Sequence, residues 1–521
     1  MRQRRKLTAL LLCAVLFALP FSGCRADTLA GVRMDLDAPV QNLDPQFATD
    51  PAAHMILANL FEGLMVRGEG GSLRLGAAER MEVSLDGTVY AFTLREDARW
   101  QCGERVVAQD FVFAFARLFS SGARSPFADD FLAIAGAQRI LDGQAPVQTL
   151  GVTAHGTYTV VFTLEHPQES FPERLASPAA LPCNRHAFEQ SRGRYGLEMR
   201  YVHSNGPFML TRWDATRLHL EPNEYFREPA LPERVTLYIG RADPFQQFLD
   251  GRSDIVLVPP GRQEEITERQ VQLIPAERTV WGLVFNQNTS PWGNPLARQS
   301  LMLTLDRGVY AEHLIPALRT AGALVPPGVL LDGQSYRELA GEVAPAHDPE
   351  QGRRLLRRWL EIPGYERLPP TMLFAPEAHA LRVAPLEMMW LRELNADITV
   401  VPAEPEQIAE RLRSGNYGLM LLPIYSTAQG PGAFLRTFQS GNRFGHNSPR
   451  FDHALGSAAR AERTQAAARY YADAERTLLE DAAIIPLFFE TSYYALAHGL
   501  GGIEISPLGG RILFRNAEHT N

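Results

Sequence analysis

The chain of 521 residues is 45% hydrophobic and 21% charged, and its 51 basic and 59 acidic side chains give a formal net charge of -8 at neutral pH. That length supports a large core and more than one lobe, and the sign of the charge argues against a nucleic-acid partner. Lys6 is the only lysine, so beyond the first residues Schiff-base chemistry, Ser-Lys dyads and a phosphate-loop lysine are excluded.

Arg2, Arg4, Arg5 and Lys6 precede an apolar stretch from Leu7 to Phe21, and Phe21, Ser22 and Gly23 lead to Cys24. A short apolar core behind positive charge reads as an export leader, because a membrane span needs about 20 apolar residues. The small residues before Cys24 resemble the lipobox of bacterial lipoproteins, with Phe21 where leucine is commoner. That resemblance implies removal of residues 1–23 and lipidation of Cys24. The protein would then be exported and held by acyl chains in the periplasm or on the cell surface. The alternative is a plain secretory leader with an incidental cysteine. Losing four basic residues and no acidic one takes the net charge from -8 to -12. Cys13 leaves with the leader, which leaves Cys102 and Cys183; export permits a disulfide between them, against two buried thiols. No later stretch is long and apolar enough to span a bilayer.

From Val32 the sequence opens with a strand and then Asn42-Leu-Asp-Pro45. Asp50 as N-cap with Pro51 at the first helical position starts a helix whose Ile56, Leu57, Leu60, Phe61 and Leu64 share one face through Met65. Strands follow at Tyr90 to Arg95 and Tyr158 to Leu164. Between them lies a helix from Gln109 to Phe119 with a wide apolar stripe of Phe111, Phe115 and Leu118. After the turn Asn205-Gly-Pro-Phe208 come two strands, then a helix, glycine stop and strand from Phe245 to Ile255 leading to Pro259. This unit recurs from Glu406 to Leu422, as expected of two lobes that each build a sheet from such pieces. Trp281 to Asn288 is a strand with Trp281, Leu283 and Phe285 on one face. Helices are predicted from Asn294, over Asp348 to Leu360, over Ala380 to Leu394 and over Thr464 to Glu480. Tyr417 to Thr427 is a continuous apolar run bounded by Gly415 and Gly430, a strand buried on both faces until Pro423 and the polar residues break it. The run Pro486 to Glu490 makes the return.

Leu43-Asp-Pro45, Asn59-Leu-Phe-Glu-Gly-Leu64, Asn205-Gly-Pro-Phe208 and the series from Glu406 to Phe444-Gly-His-Asn-Ser-Pro449 resemble the oligopeptide-, dipeptide- and nickel-binding receptors of ABC importers. The resemblance covers essentially the whole chain after the leader. It implies an α/β, two-lobed periplasmic-binding-protein fold of type II with an extra small domain and a ligand cleft between the lobes. Lobe I would comprise 24–50, 170–277 and 485–521, the small domain 51–169 and lobe III 278–484, with the crossing near Glu277 to Asn288. The implied ligand-facing residues are Val40 and Gln41, Trp281, Leu283 and Phe285, Tyr425, Ser426 and Thr427, and Phe444 and Asn447; Trp281 packs either on the ligand or against its own lobe. The chain departs from the family pattern in four places. Val107-Ala-Gln-Asp110 lacks a capping hydroxyl, a loss of about 1 kcal/mol. Thr427 stands where many peptide binders carry the aspartate that holds the peptide's α-amino group, Pro405 where they carry tryptophan, and Leu421 where they carry arginine.

The sequence shows no Gly-x-Ser-x-Gly, no His-Glu-x-x-His, no cysteine pairs at zinc spacing and no phosphate loop. His446 and His453 read as satisfied or solvated histidines rather than metal ligands. No enzyme, cofactor or metal is expected. The expected function is a monomeric, lipid-anchored receptor that captures peptides or a similar solute by hinge closure and delivers them to an ABC permease in the inner membrane. A buried ammonium needs a carboxylate. With no acid at Thr427, either the ligand has no free buried amine or the acid comes from elsewhere. The alternatives are a non-peptide solute (a metal complex, a haem-like molecule or an opine) and a surface lipoprotein that has lost transport.

Overall fold

The computed structural model describes residues 31–520 other than 37, 69–71, 121, 123–124, 260–261, 263, 268, 270, 316–317, 427–429 and 507–510. The expected leader, Cys24 and Thr427 lie outside the described residues.

Val32, Met34 and Leu36 alternate with more polar residues along β1 (Gly31–Leu36) and are buried. This strand is central to its half of the sheet and needs both edges paired. It runs parallel to Arg234–Ile239 over its full length and meets Ile255 at Met34. Asp50 caps α1 (Pro51–Leu60), accepting from Ala53 N at 2.7 Å. The helix stops at Leu60 rather than Met65, because the Asn205 amide takes over the backbone of Glu62. Its Oδ1 accepts from Glu62 N at 3.1 Å and its Nδ2 donates to Glu62 O at 2.9 Å.

A separate antiparallel sheet follows: β2 (Ala78–Val83), β3 (Val89–Leu94), β4 (Val152–His155) and β5 (Thr159–Thr163), in the order β2-β3-β5-β4. It packs against α2 (Ala108–Leu118), whose Phe111, Phe115 and Leu118 are fully buried. Val107 cannot cap this helix. Asp110 compensates in part by accepting from Val107 N at 3.0 Å, and it also accepts from Trp100 Nε1 at 3.1 Å.

The large sheet contains eleven strands. On one side are β6 (Phe208–Trp213), β7 (Arg217–Pro222), β8 (Arg234–Ile239) and β9 (Ile255–Val258), with α3 (Pro244–Leu249) before β9. β10 (Gln272–Phe285) leads to the other side, which holds β11 (Leu318–Thr320), β12 (Thr371–Pro376), β13 (Ile398–Ala403) and β14 (Leu419–Tyr425), with α4 (Pro405–Ser414) before β14. α5 (Thr464–Glu480) then leads into β15 (Ile484–Leu496), which returns the chain. The order is β13-β12-β14-β10-β15-β9-β1-β8-β7-β6, with β11 also on β15. One expected helix is divided, into Glu377–Val383 and Pro385–Leu394, at a proline that has no N–H to give.

Among the described residues, β10 and β15 alone carry the large sheet across its middle. β9 pairs with β15 at residues 493–496, and β14 pairs with β10 at residues 279–285. Between those stretches Ala276 faces Ser492 and Thr279 faces Glu490, so two residues of β10 stand opposite one of β15. A bulge of this kind weakens the ladder and increases local twist. The hydrophobic core divides at the same place. One large cluster draws on residues from Val32 to Ala276 and from Tyr494 to Ala517, the other on residues from Val280 to Phe489.

The two bodies touch again away from the crossing strands. Gln168 Nε2 donates to Ala459 O at 2.6 Å, Arg174 Nη2 donates to the same carbonyl at 3.0 Å, and Glu169 N donates to Glu462 O at 2.8 Å. Arg436 pairs with Asp130.

Burial pushes the Asp110 carboxyl up to about 6, against the pull of its bonds from Val107 and Trp100. A folded-state value above the ordinary 3.8 means that the folded chain binds this proton more tightly than the unfolded one. The group therefore removes stability as pH rises through that window, by about 2 to 3 kcal/mol, and has no further effect above it. Asp110→Asn keeps an acceptor for both donors and lacks the titration. Denaturant midpoints of the native chain should fall relative to the variant between pH 4 and pH 6; parallel curves would overturn this reading.

Candidate functional site

At the crossing lies a pocket of about 410 Å³, within the range of small-molecule sites. The first body contributes the start of α3 (Asp243, Pro244, Phe245) and the end of β9 (Leu257, Val258, Pro259). The second contributes Thr279 and Trp281 of β10 and Pro423 and Tyr425 of β14. Glu490 and Ser492 of β15 stand between them.

The sequence explains how these walls are built. Asp243 adopts a left-handed backbone, φ 40°, and caps α3 by accepting from Gln246 N at 3.0 Å. Arg241, two residues earlier, is fixed by Asp35 at 2.6 Å and by Ser253 Oγ at 2.6 Å, which holds the turn against β1. Phe245 and Val258 are buried in a small apolar cluster of their own behind the pocket. On the other wall β14 is buried on both faces from Leu419 to Leu422. Pro423 does not break the strand as expected: pairing runs on through Pro423 and the buried Ile424 to Tyr425, which is 53% exposed at the mouth.

Trp281 is mostly buried yet lines the pocket. Its Nε1 donates to Glu490 Oε2 at 2.6 Å, and its ring meets the His379 ring edge-on at 4.1 Å. His379 Nε2 lies 3.8 Å from the same carboxylate oxygen. Burial pushes the His379 imidazole below its ordinary value, against the pull of Glu490. Glu490 Oε1 has no hydrogen-bond partner although the residue is only 7% exposed.

The residues expected at the cleft are only partly brought together. Trp281 and Tyr425 line one pocket, and Ser426 follows Tyr425 directly. Leu283 and Phe285 share the face of Trp281 but are fully buried; the face that meets the pocket at Trp281 continues into the core of the second body. Val40 is likewise buried in the core of the first body, while Gln41 is exposed. Phe444 is buried and stacks on Phe438 at 5.4 Å, and the exposed Asn447 accepts from Ser440 Oγ at 3.0 Å; neither lines the pocket. Cys102 and Cys183 are both free, the first exposed and the second buried, which corrects the disulfide expectation. Cys183 instead accepts from Arg117 Nη1 at 3.4 Å beside the buried Arg117–Asp44 pair.

His446 is buried with Nδ1 2.7 Å from Phe438 O, and His453 is exposed. Among the described residues no group of three or more His, Cys, Asp or Glu could hold a metal ion, and no helix is long and apolar enough to cross a membrane.

Glu490, Thr279, Asp243 and Ser492 were not picked out by sequence reasoning. Glu490 had a visible signal, a charge closing the apolar run Ile484 to Phe489. Asp243-Pro244 repeats the helix start of Asp50-Pro51. Thr279 and Ser492 had none, because the register that brings them to the pocket is set by a bulge.

The model of a family described as "Bacterial extracellular solute-binding proteins, family 5 Middle" matches residues 72–446. The chain is 25% identical over 485 residues to the dipeptide-binding protein DppE of Bacillus subtilis, covering 90% of this chain and 88% of that one. It is 27% identical over 497 residues to the periplasmic murein peptide-binding protein MppA of Escherichia coli, covering 91% and 90%. The structure of Listeria monocytogenes OppA bound to peptide matches with a TM-score of 0.76 at 19% identity, covering 95% of this chain and 100% of that one. That match shows the two-lobed fold of type II periplasmic binding proteins.

The cysteine environments make a direct prediction. Burial pushes the Cys183 thiol up to about 12, so it is both protonated and inaccessible. In a chain that begins at Arg25, a thiol reagent should titrate one cysteine under native conditions and two after denaturation without reductant. A count of zero in both states would restore the disulfide.

Proposed function

We propose, from the premise that the chain belongs to family 5 of the bacterial extracellular solute-binding proteins, that it is the receptor of an ABC importer and captures peptides or a peptide-like solute. The observation that carries this reading is the pocket at the crossing of two separately cored bodies, since a ligand there touches both. The names of relatives such as DppE and MppA support peptides as the solute class.

In this reading 24–50, 170–277 and the chain from Ser492 onward form one lobe, 51–169 a small added domain and 278–490 the opposing lobe; the return crossing falls later than the expected 485 because Ile485 to Phe489 pack in the second core. Trp281, Tyr425 and Ser426 contact the ligand from the second lobe. The bulge in β10 is the hinge, because the ladder there is interrupted and no third strand braces it. The contacts of Gln168, Glu169 and Arg174 with residues 459–462, and of Arg436 with Asp130, hold the closed form. Ligand shifts the population toward closure by contacts available only when both walls meet. Cys24 anchors the receptor by lipid, and it hands its solute as a monomer to a permease in the inner membrane.

The test uses the chain from Arg25. Native mass spectrometry as purified, and again after unfolding and refolding, should show a ligand mass that is lost on refolding. Titration of the refolded chain with tripeptides should give saturable binding. Small-angle scattering should show a smaller radius of gyration with ligand. The double variant Gln168→Ala, Arg436→Ala should be more open without ligand and bind roughly tenfold more weakly, as loss of about 1.4 kcal/mol of closing energy requires. No trapped mass and no tripeptide binding would overturn the peptide reading, and an unchanged radius of gyration would overturn the hinge.

A further inference from the structure

Glu490 sits where a buried strand reaches the pocket, at the end of six apolar residues from Ile484 to Phe489. One oxygen of its carboxylate is committed to Trp281 Nε1, and the other has no partner. A carboxylate with an unmatched oxygen at 7% exposure is an expensive arrangement, because burying such a charge unpaired costs several kcal/mol. Among the described residues the ion-pair neighbour recorded for it is His379, 3.8 Å away, and burial disfavours the charged form of that imidazole.

The rest of the pocket does not supply a counter-charge. Among the described residues its lining contains two acids, Glu490 and Asp243, and no basic side chain. The two acids differ in their surroundings. Asp243 has the Arg262 guanidinium at 3.6 Å outside the lining and its own helix to cap. Glu490 has a neutral indole donor and a buried oxygen without a hydrogen-bond partner. Around them Trp281 and Tyr425 bring aromatic rings to the lining, a residue type that attracts cations.

We propose that the Glu490 carboxylate receives a cationic nitrogen of the ligand, so that the pocket takes ammonium-bearing solutes, which for a peptide means its α-ammonium. This rests on the pocket being the solute site. The acid that is missing at Thr427 is then supplied from β15, on the strand shared by both bodies. An anionic or uncharged head at this point would leave the carboxylate charge unmatched and is selected against.

The experiment uses the chain from Arg25 and its Glu490→Gln variant, which retains an acceptor for Trp281 and removes the charge. The probes are trialanine, N-acetyltrialanine and phenethylamine, measured by calorimetric titration. The native chain should bind trialanine roughly thirtyfold or more tightly than its acetylated form, the ratio that loss of a buried charge pair gives. Glu490→Gln should weaken trialanine to the level of the acetylated peptide. A variant that keeps the native preference, or a native chain that binds both peptides equally, overturns the assignment. If both peptides fail while phenethylamine binds the native chain and not the variant, Glu490 stands and the peptide reading falls. Failure of all three overturns the Glu490 assignment. The ligand-free variant should also unfold at no lower temperature than the native chain, since it loses an unmatched charge. A fall of several degrees would make Glu490 a structural partner of Trp281 and His379, and overturn the proposal.

Discussion

Two adjacent strands carry the main chain and its hydrogen bonds from one hydrophobic core into another. β10 and β15 pair along most of their length, and the pairing is interrupted where the cores part, between Ala276 and Thr279. The placement of the other elements follows from that arrangement. The strands of each half can be added only outward from these two, so each half has its own buried layer, and the pocket forms where neither layer covers the pair. Pro275 is tolerated in β10 because this part of the strand is unpaired on its far side.

Electrostatics at the crossing follow from the same geometry. A strand that leaves one core and enters another passes through a short stretch that neither core covers fully, and there a polar or charged side chain can be accommodated. Thr279, Glu490 and Ser492 occupy that stretch. By contrast, Glu475 is fully buried inside the second body, and each of its oxygens is used. It accepts from Leu324 N and Val325 N at 2.9 Å, from Tyr336 OH at 3.0 Å and from Arg337 at 3.1 Å. The two glutamates show the difference between an acid that is internally satisfied and one with capacity to spare.

Much of the fold was legible because local signals and tertiary demands agreed. Asp50 with Pro51 caps a helix as the residues require, α5 spans Thr464 to Glu480 as its pattern predicts, and the apolar run Leu419 to Leu422 is a strand buried on both faces, though it continues past Pro423 to Tyr425. The failures have specific causes. Nothing local shows that the Asn205 amide will end α1 at Leu60, 143 residues earlier than its own position relative to Glu62. Alternation groups Trp281, Leu283 and Phe285 on one face but does not say where along the strand the pocket gives way to core. Cysteine count and export permit a disulfide, but the fold puts one thiol at the surface and the other inside beside Arg117. The site was legible at Trp281 and Tyr425 and not at Thr279 or Ser492, whose positions depend on a bulge.

The second bridge between the bodies is asymmetric in a way that bears on sequence change. Gln168 and Arg174 donate from side chains, while the acceptor at Ala459 is a main-chain carbonyl, and Glu169 N meets Glu462 O through main chain alone. A carbonyl survives any substitution of its side chain that leaves the backbone path unaltered. The information that fixes these three bonds is therefore written on one partner only, whereas the Arg436–Asp130 pair is written on both. Mutational drift at 459 and 462 is largely invisible to the three bonds, whereas a single change at 168 or 174 is felt at once.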